Sequence, residues 1–163
     1  MKKIATHKID LKKISEGFGL SEKETFDFFN DGRIMGRLGE FIHSNSDGGK
    51  RQNENSKFDI IENNTKKSEV RSITDKVSFA SSKEIGYGRK VTEEGFQEKL
   101  KSIDRYVLLD IRNLNQGIFE TIEVSKEDLI NLDLGKNKSI SAKKFYQHYD
   151  RNIYITLQLV DSN

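Results

Sequence analysis

Asp59, Glu69 and Arg71 are the residues whose types and spacing can do chemistry together in this chain. In an extended strand, residues two apart share a face. Glu69 and Arg71 in the run Ser68-Glu69-Val70-Arg71-Ser72-Ile73 therefore present a carboxylate beside a cation, while Val70 turns into the opposite layer. Asp59 stands ten residues before Glu69, in a segment over 58–61 that reads as the partner strand of a hairpin. Pairing there brings the two acids to about 5 to 8 Å between Cβ atoms, near enough to share one hard divalent cation. Mg2+ suits such a pair, with Mn2+ as a substitute, because it takes oxygen ligands and binds through one or two carboxylates plus substrate phosphates. The same residues also fit a solvated acid and an ordinary ion pair on an edge hairpin, so their weight comes from what surrounds them.

The rest of the composition narrows the field. The chain has no cysteine, which removes disulfides, thiolate nucleophiles and Cys-ligated zinc or iron–sulfur sites, and its three histidines, His7, His43 and His148, are scattered. Any metal must then be held mainly by oxygen. A length of 163 residues suits one domain. Hydrophobic residues at 34%, charged residues at 33% and a mean hydropathy of −0.72 imply a small core under a wide wet surface, with ten Phe and five Tyr supplying the bulk. Net charge is only +2, so a wholesale polybasic partner is not indicated. No apolar run reaches the ~20 residues of a membrane span, and the start MKKIATHKID has no hydrophobic segment behind its lysines, so no signal peptide and a cytoplasmic location are expected.

The elements that must position these residues follow from spacing. Ser21 and Glu24 form a capping box opening a helix through Phe26 and Phe29 that stops near Gly32. From Arg33 to about Ser44, Ile34, Leu38, Phe41 and Ile42 form an apolar stripe, with Gly36, Glu40 and His43 on the other side. Residues 44–57 are turn formers without an aliphatic or aromatic side chain and predict a flexible loop. Strands over 58–61 and 68–73, joined by a turn holding Asn63 and Asn64, make the hairpin. A connection rich in Ser, Gly and basic residues runs over 74–91. Thr92 then caps a helix with Phe96, Leu100 and Ile103 on one face, followed by a strand over 106–111 that is apolar at consecutive positions and so buried on both sides. A strand over 118–124, helices over 125–133 and 141–149 and a strand over 152–160 finish the chain. The expected fold is α/β (α+β): a mixed central sheet flanked by helices.

With this arrangement, the sequence resembles the PD-(D/E)xK nuclease superfamily, and within it small type II restriction endonucleases and MutH-like nicking nucleases. The helix carrying Gly36, Gly39 and Glu40 resembles the family's first helix, which often ends in a metal-proximal glutamate. The segment Phe58-Asp59-Ile60-Ile61 resembles the strand bearing the metal-binding aspartate. The run Glu69-Val70-Arg71 is similar to the family's Glu-x-Lys strand, and the helix over 92–104 with the strand over 106–111 resembles its crossover. The likeness covers roughly residues 33–112 as a catalytic core, with 1–32 as a helical accessory and 113–163 completing the sheet. One departure is that Arg71 stands where the family has lysine. Arginine keeps its proton and cannot be a general base, but can steady a nucleophile or a developing charge.

The resemblance implies a restriction-endonuclease-like core and a metal-dependent DNA endonuclease, acting as a sequence-specific type II enzyme with Mg2+. Asp59, Glu69 and the carbonyl of Val70 would hold the metal, Arg71 would steady the reaction, and Glu40 would serve a second ion or a metal-bound water. Double-stranded DNA is the expected partner, and a double-strand cut on a palindrome implies a homodimer. In the connection over 74–91, Lys83, Arg89 and Lys90 can neutralise phosphates, Ser78, Ser81 and Ser82 can donate to phosphates or base edges, and Tyr87 stands between two glycines that let the backbone approach a groove. Two alternatives stay open: a DNA-binding regulator using a helix-turn-helix-like unit over 9–29, whose second helix is acidic, and a degenerate nuclease fold serving protein interaction.

Overall fold

The structure, a computed structural model, describes the backbone of residues 1–46, 48–53, 56–62, 65–80 and 90–149, without the side chains of 3, 4 and 46. Among the described residues six strands form one mixed sheet in the order β1-β7-β6-β4-β3-β2. They are β1 (Lys2–Lys8), β2 (Lys50–Arg51), β3 (Ile60–Ile61), β4 (Lys67–Ile73), β6 (Arg105–Asp110) and β7 (Ile118–Ser125). A separate pair joins β5 (Lys76–Ser78) to β8 (Ser139–Ser141). The helices are α1 (Leu11–Phe18), α2 (Glu22–Phe29), α3 (Gly32–Ser46), α4 (Glu93–Ser102), α5 (Lys126–Ile130) and α6 (142–149). The fold is thus the expected mixed α/β type, and no described helix is long and apolar enough to cross a membrane.

The apolar run in β6 explains the centre. Every residue of β6 is buried, with β4 parallel on one side and β7 antiparallel on the other. Strand alternation sends Tyr106 and Leu108 to one face, where they meet Ile73, Phe96, Ile122 and Phe145 beneath α4 and α6. Val107 and Leu109 go to the other, against Met35, Ile60 and Val70 beneath α3. On α3 the stripe is rotated by about one position from the expected one. Met35 and His43 are buried, while Phe41 is 48% exposed. Gly39 causes this: a Cβ there would run into the Leu109 side chain, so the helix lies on the sheet through its glycine.

His43 is therefore a buried residue and not part of a polar face. It contacts Glu62 Oε1 at 3.2 Å and Arg105 at 3.1 Å. Arg105 also donates to Glu62, to Glu123 and to the Ser68 hydroxyl, at 2.6, 2.6 and 3.0 Å. Burial pushes the Glu62 carboxyl up, but the hydrogen bonds from Ser68 and Arg105 and the Arg105 charge hold it below the usual range.

Several short elements differ from the sequence reading. The expected loop over 44–57 contains the end of α3 and strand β2, and the connection over 74–91 opens with β5, in which Val77 is buried and is followed by buried Phe79 and Ala80. Strand β1 pairs with β7 from Lys2 to Lys8, with a register shift between Lys3 and Ala5, despite its lysines, because an outer strand needs only one apolar face. Strand β4 lies inside the sheet and not at its edge. The capping boxes at Ser21 and Ser125 and the cap at Thr92 are formed, and α5 ends at Ile130. The residues Asn63 and Asn64 and the strand expected over 152–160 lie outside the described residues.

Candidate active site

Strand β3 is short, and its shortness builds the site. It pairs with β4 only at Ile60 with Ser68 and Ile61 with Lys67. Alternation points the backbone groups of Val70 toward the same edge as those of Ser68, one step beyond the last pair. Asp59 is thus a residue just before the strand and not within it. Its N–H donates to the Ser68 carbonyl at 3.1 Å and its carbonyl accepts the Gln52 N–H at 2.8 Å, which anchors its backbone on both sides. Its carboxylate then turns inward, and Oδ2 accepts the Val70 N–H at 2.8 Å. Arg71 Nη1 donates to the Val70 carbonyl at 3.0 Å and lies 4.0 Å from Asp59 Oδ2.

Glu69 is 1% exposed and is flanked by two cations. Arg71 Nη2 lies against Oε1, which accepts no hydrogen bond, and Lys99 Nζ donates to Oε2. Lys99 also donates to the Lys57 carbonyl at 2.7 Å, so its ammonium is held from two sides. Burial pushes the Glu69 carboxyl up; Arg71 and Lys99 oppose this and the Asp59 charge adds to it. Burial pushes the Lys99 ammonium down, against the pull of Glu69.

Lys99 is the functional candidate that the sequence reading did not single out. It sits on α4 between Phe96 and Leu100, on the shoulder of the apolar stripe. Lys101, two residues on, has the same type and a different direction, and only the packing of Phe96 on the sheet separates them.

Asp59, Glu69, Arg71, Glu40 and Lys99 line one cavity of about 930 Å³. Arg33 and Arg37 on α3 and Lys57 lie around it. Glu40 enters from the opposite face of the sheet. Its carboxylate is held by Arg51 at 3.0 Å and Arg37 at 3.6 Å. Burial raises its pKa against the Arg51 hydrogen bond, and the Asp59 charge adds to the rise, so the two acids sense each other.

The chain matches no protein-family model, no curated protein and no solved structure. The site is therefore read from its own geometry.

Among the described residues no three His, Asp or Glu side chains form a group that could hold a metal ion. The donors at the centre are two carboxylates and the Val70 carbonyl, all hard oxygen on one edge, with one Glu69 oxygen buried and met by the Arg71 guanidinium alone. That donor set fits a magnesium-like ion that takes its other ligands from water and phosphate. The positions beside those oxygens belong to Arg71 and Lys99 in this arrangement. Of the expected DNA contacts, Ser78 is half-buried in β5 and Lys90 is exposed, and neither lines the cavity. Ser81, Ser82, Lys83, Tyr87 and Arg89 lie outside the described residues.

Proposed function

We propose that the chain is a metal-dependent DNA endonuclease with a nuclease core of the PD-(D/E)xK kind, acting as a type II site-specific enzyme on double-stranded DNA. The observation that carries this is the convergence of Asp59 and Glu69 on one Arg71 guanidinium inside a cavity that Arg33, Arg37 and Lys57 also line. Two acids and several cations in one cleft suit a phosphodiester, because the acids hold a divalent ion and the cations receive phosphate oxygens.

Asp59, Glu69 and the Val70 carbonyl would hold Mg2+. When bound, the ion supplies Lewis-acid polarisation of the phosphate and makes water more acidic. Arg71, anchored on the Val70 carbonyl, is placed to steady charge on the transition state with its planar fork. Lys99 brings the lysine that the strand lacks to the same carboxylate from α4. Arg33 and Arg37 face the cavity from α3 and suit backbone phosphates. A double-strand cut would need two copies.

Incubation of supercoiled plasmid with Mg2+ or Mn2+, and in parallel with EDTA, tests the reading. Cutting is expected only with metal, and its loss in Glu69→Gln is expected. Binding of DNA without cutting under any metal condition would favour a regulator. The hold of Arg71 and Lys99 on the two Glu69 oxygens favours a second reading, a nuclease-like fold kept for interaction, which predicts neither binding nor cutting.

A further inference from the structure

We infer that Lys99 is a resident counter-ion of the metal site, so that metal loading depends on DNA; this rests on the endonuclease reading above. The charges around Glu69 balance as they stand. Asp59 and Glu69 carry two negative charges, and Arg71 and Lys99 carry two positive ones in direct contact with Glu69. Glu69 is 1% and Lys99 10% exposed, so water screens this exchange poorly. A divalent cation entering beside Glu69 meets a site already neutral, with Arg71 on one carboxylate oxygen and the Lys99 ammonium on the other.

Lys99 cannot simply swing away within the protein at no cost. Its second contact is the Lys57 carbonyl at 2.7 Å, and both Lys57 and Lys99 line the cavity. The group that can receive the ammonium as the ion arrives is an anion in that cavity, and under the nuclease reading this is a backbone phosphate. Phosphate and divalent ion then bind with positive coupling, each lowering the cost of the other. Lys99 thereby acts as a positioning residue that holds the metal site shut without DNA and turns to phosphate with it.

The test uses the whole chain. Mn2+ binding is measured by titration calorimetry without DNA for the native protein and for Lys99→Met and Lys99→Gln, with thermal melts to establish folding. Both variants are expected to bind Mn2+ at least about tenfold more tightly than the native protein, because one buried positive charge has gone. Lys99→Arg, which keeps the charge, is expected to show no gain. A short duplex with non-bridging phosphorothioates to block cutting is expected to tighten Mn2+ binding to the native protein by about tenfold and to Lys99→Met far less. Unchanged or weaker Mn2+ binding in folded Lys99→Met and Lys99→Gln would overturn the inference, as would equal coupling to DNA in native and variant proteins. Tighter binding in the variants with no cutting of plasmid by the native protein would uphold the counter-ion role and defeat the endonuclease reading instead.

Discussion

The carboxylate of Asp59 accepts the backbone N–H of Val70 at 2.8 Å, on the first step of β4 beyond its pairing with β3. This bond aims an acid at the edge where Glu69 and Arg71 emerge. It also gives Asp59 a structural duty and an ionic one, which substitution can separate.

Asp59→Asn keeps an oxygen for the Val70 N–H and removes the charge. Metal-dependent plasmid cutting is expected to fall by about a hundredfold or more, with urea stability close to native. Asp59→Ala is expected to lose cutting and also about 1–3 kcal/mol of stability, because the Val70 N–H loses its partner. An active Asp59→Asn protein would remove Asp59 from the site.

Arg71 makes contacts that lysine cannot copy. One guanidinium spans the Val70 carbonyl, the Glu69 carboxylate and the Ala80 carbonyl, the last at 3.4 Å. Arg71→Lys is therefore expected to slow cutting by about tenfold while the charge is kept, and Arg71→Ala to slow it further. Single-turnover rates on one labelled duplex measure this. Equal rates in native and Arg71→Lys proteins would show that only the charge matters.

The buried Arg105 network predicts a pH response. Glu62 is held below its ordinary value of 4.5 when folded. Above that value it is ionised in both states and its stabilisation is fully present. As pH falls through that value toward the lower folded one, the unfolded chain takes up its proton first and the stabilisation is lost. Urea midpoints are expected to drop on going from about pH 6 to about pH 3, and Glu62→Gln is expected to drop less steeply. Arg105→Met, which leaves buried Glu62 without its guanidinium and Glu123 with Lys66 alone, is expected to cost about 3–5 kcal/mol.

Gly39 sets the distance between α3 and the sheet. Gly39→Ala is expected to cost about 1–3 kcal/mol by denaturant unfolding, because the new methyl group overlaps Leu109 and the helix must move. No loss would mean that α3 does not pack through that glycine.

Much of the frame was legible in the sequence because local rules write it. The capping box at Ser21, the cap at Thr92 and the doubly buried run in β6 depend on neighbours within a few residues, and each is formed as read. The shared face of Glu69 and Arg71 follows from strand alternation alone. What local rules do not carry is how far a strand runs before it parts from its neighbour. Phe58 and Asp59 look as strand-like as Ile60 and Ile61, yet pairing stops at Ile60.

The sequence by itself determined which oxygen and nitrogen groups exist, that no thiolate ligand does, and that Asp59, Glu69 and Arg71 fall on neighbouring segments. Only the tertiary structure decided which lysine joins them, that His43 is buried and that Arg51 and Arg37 hold Glu40. Those outcomes depend on how α3 and α4 settle on the sheet, through Gly39 and Phe96, and a helix's rotation about its axis is a property of its contacts and not of its own residues.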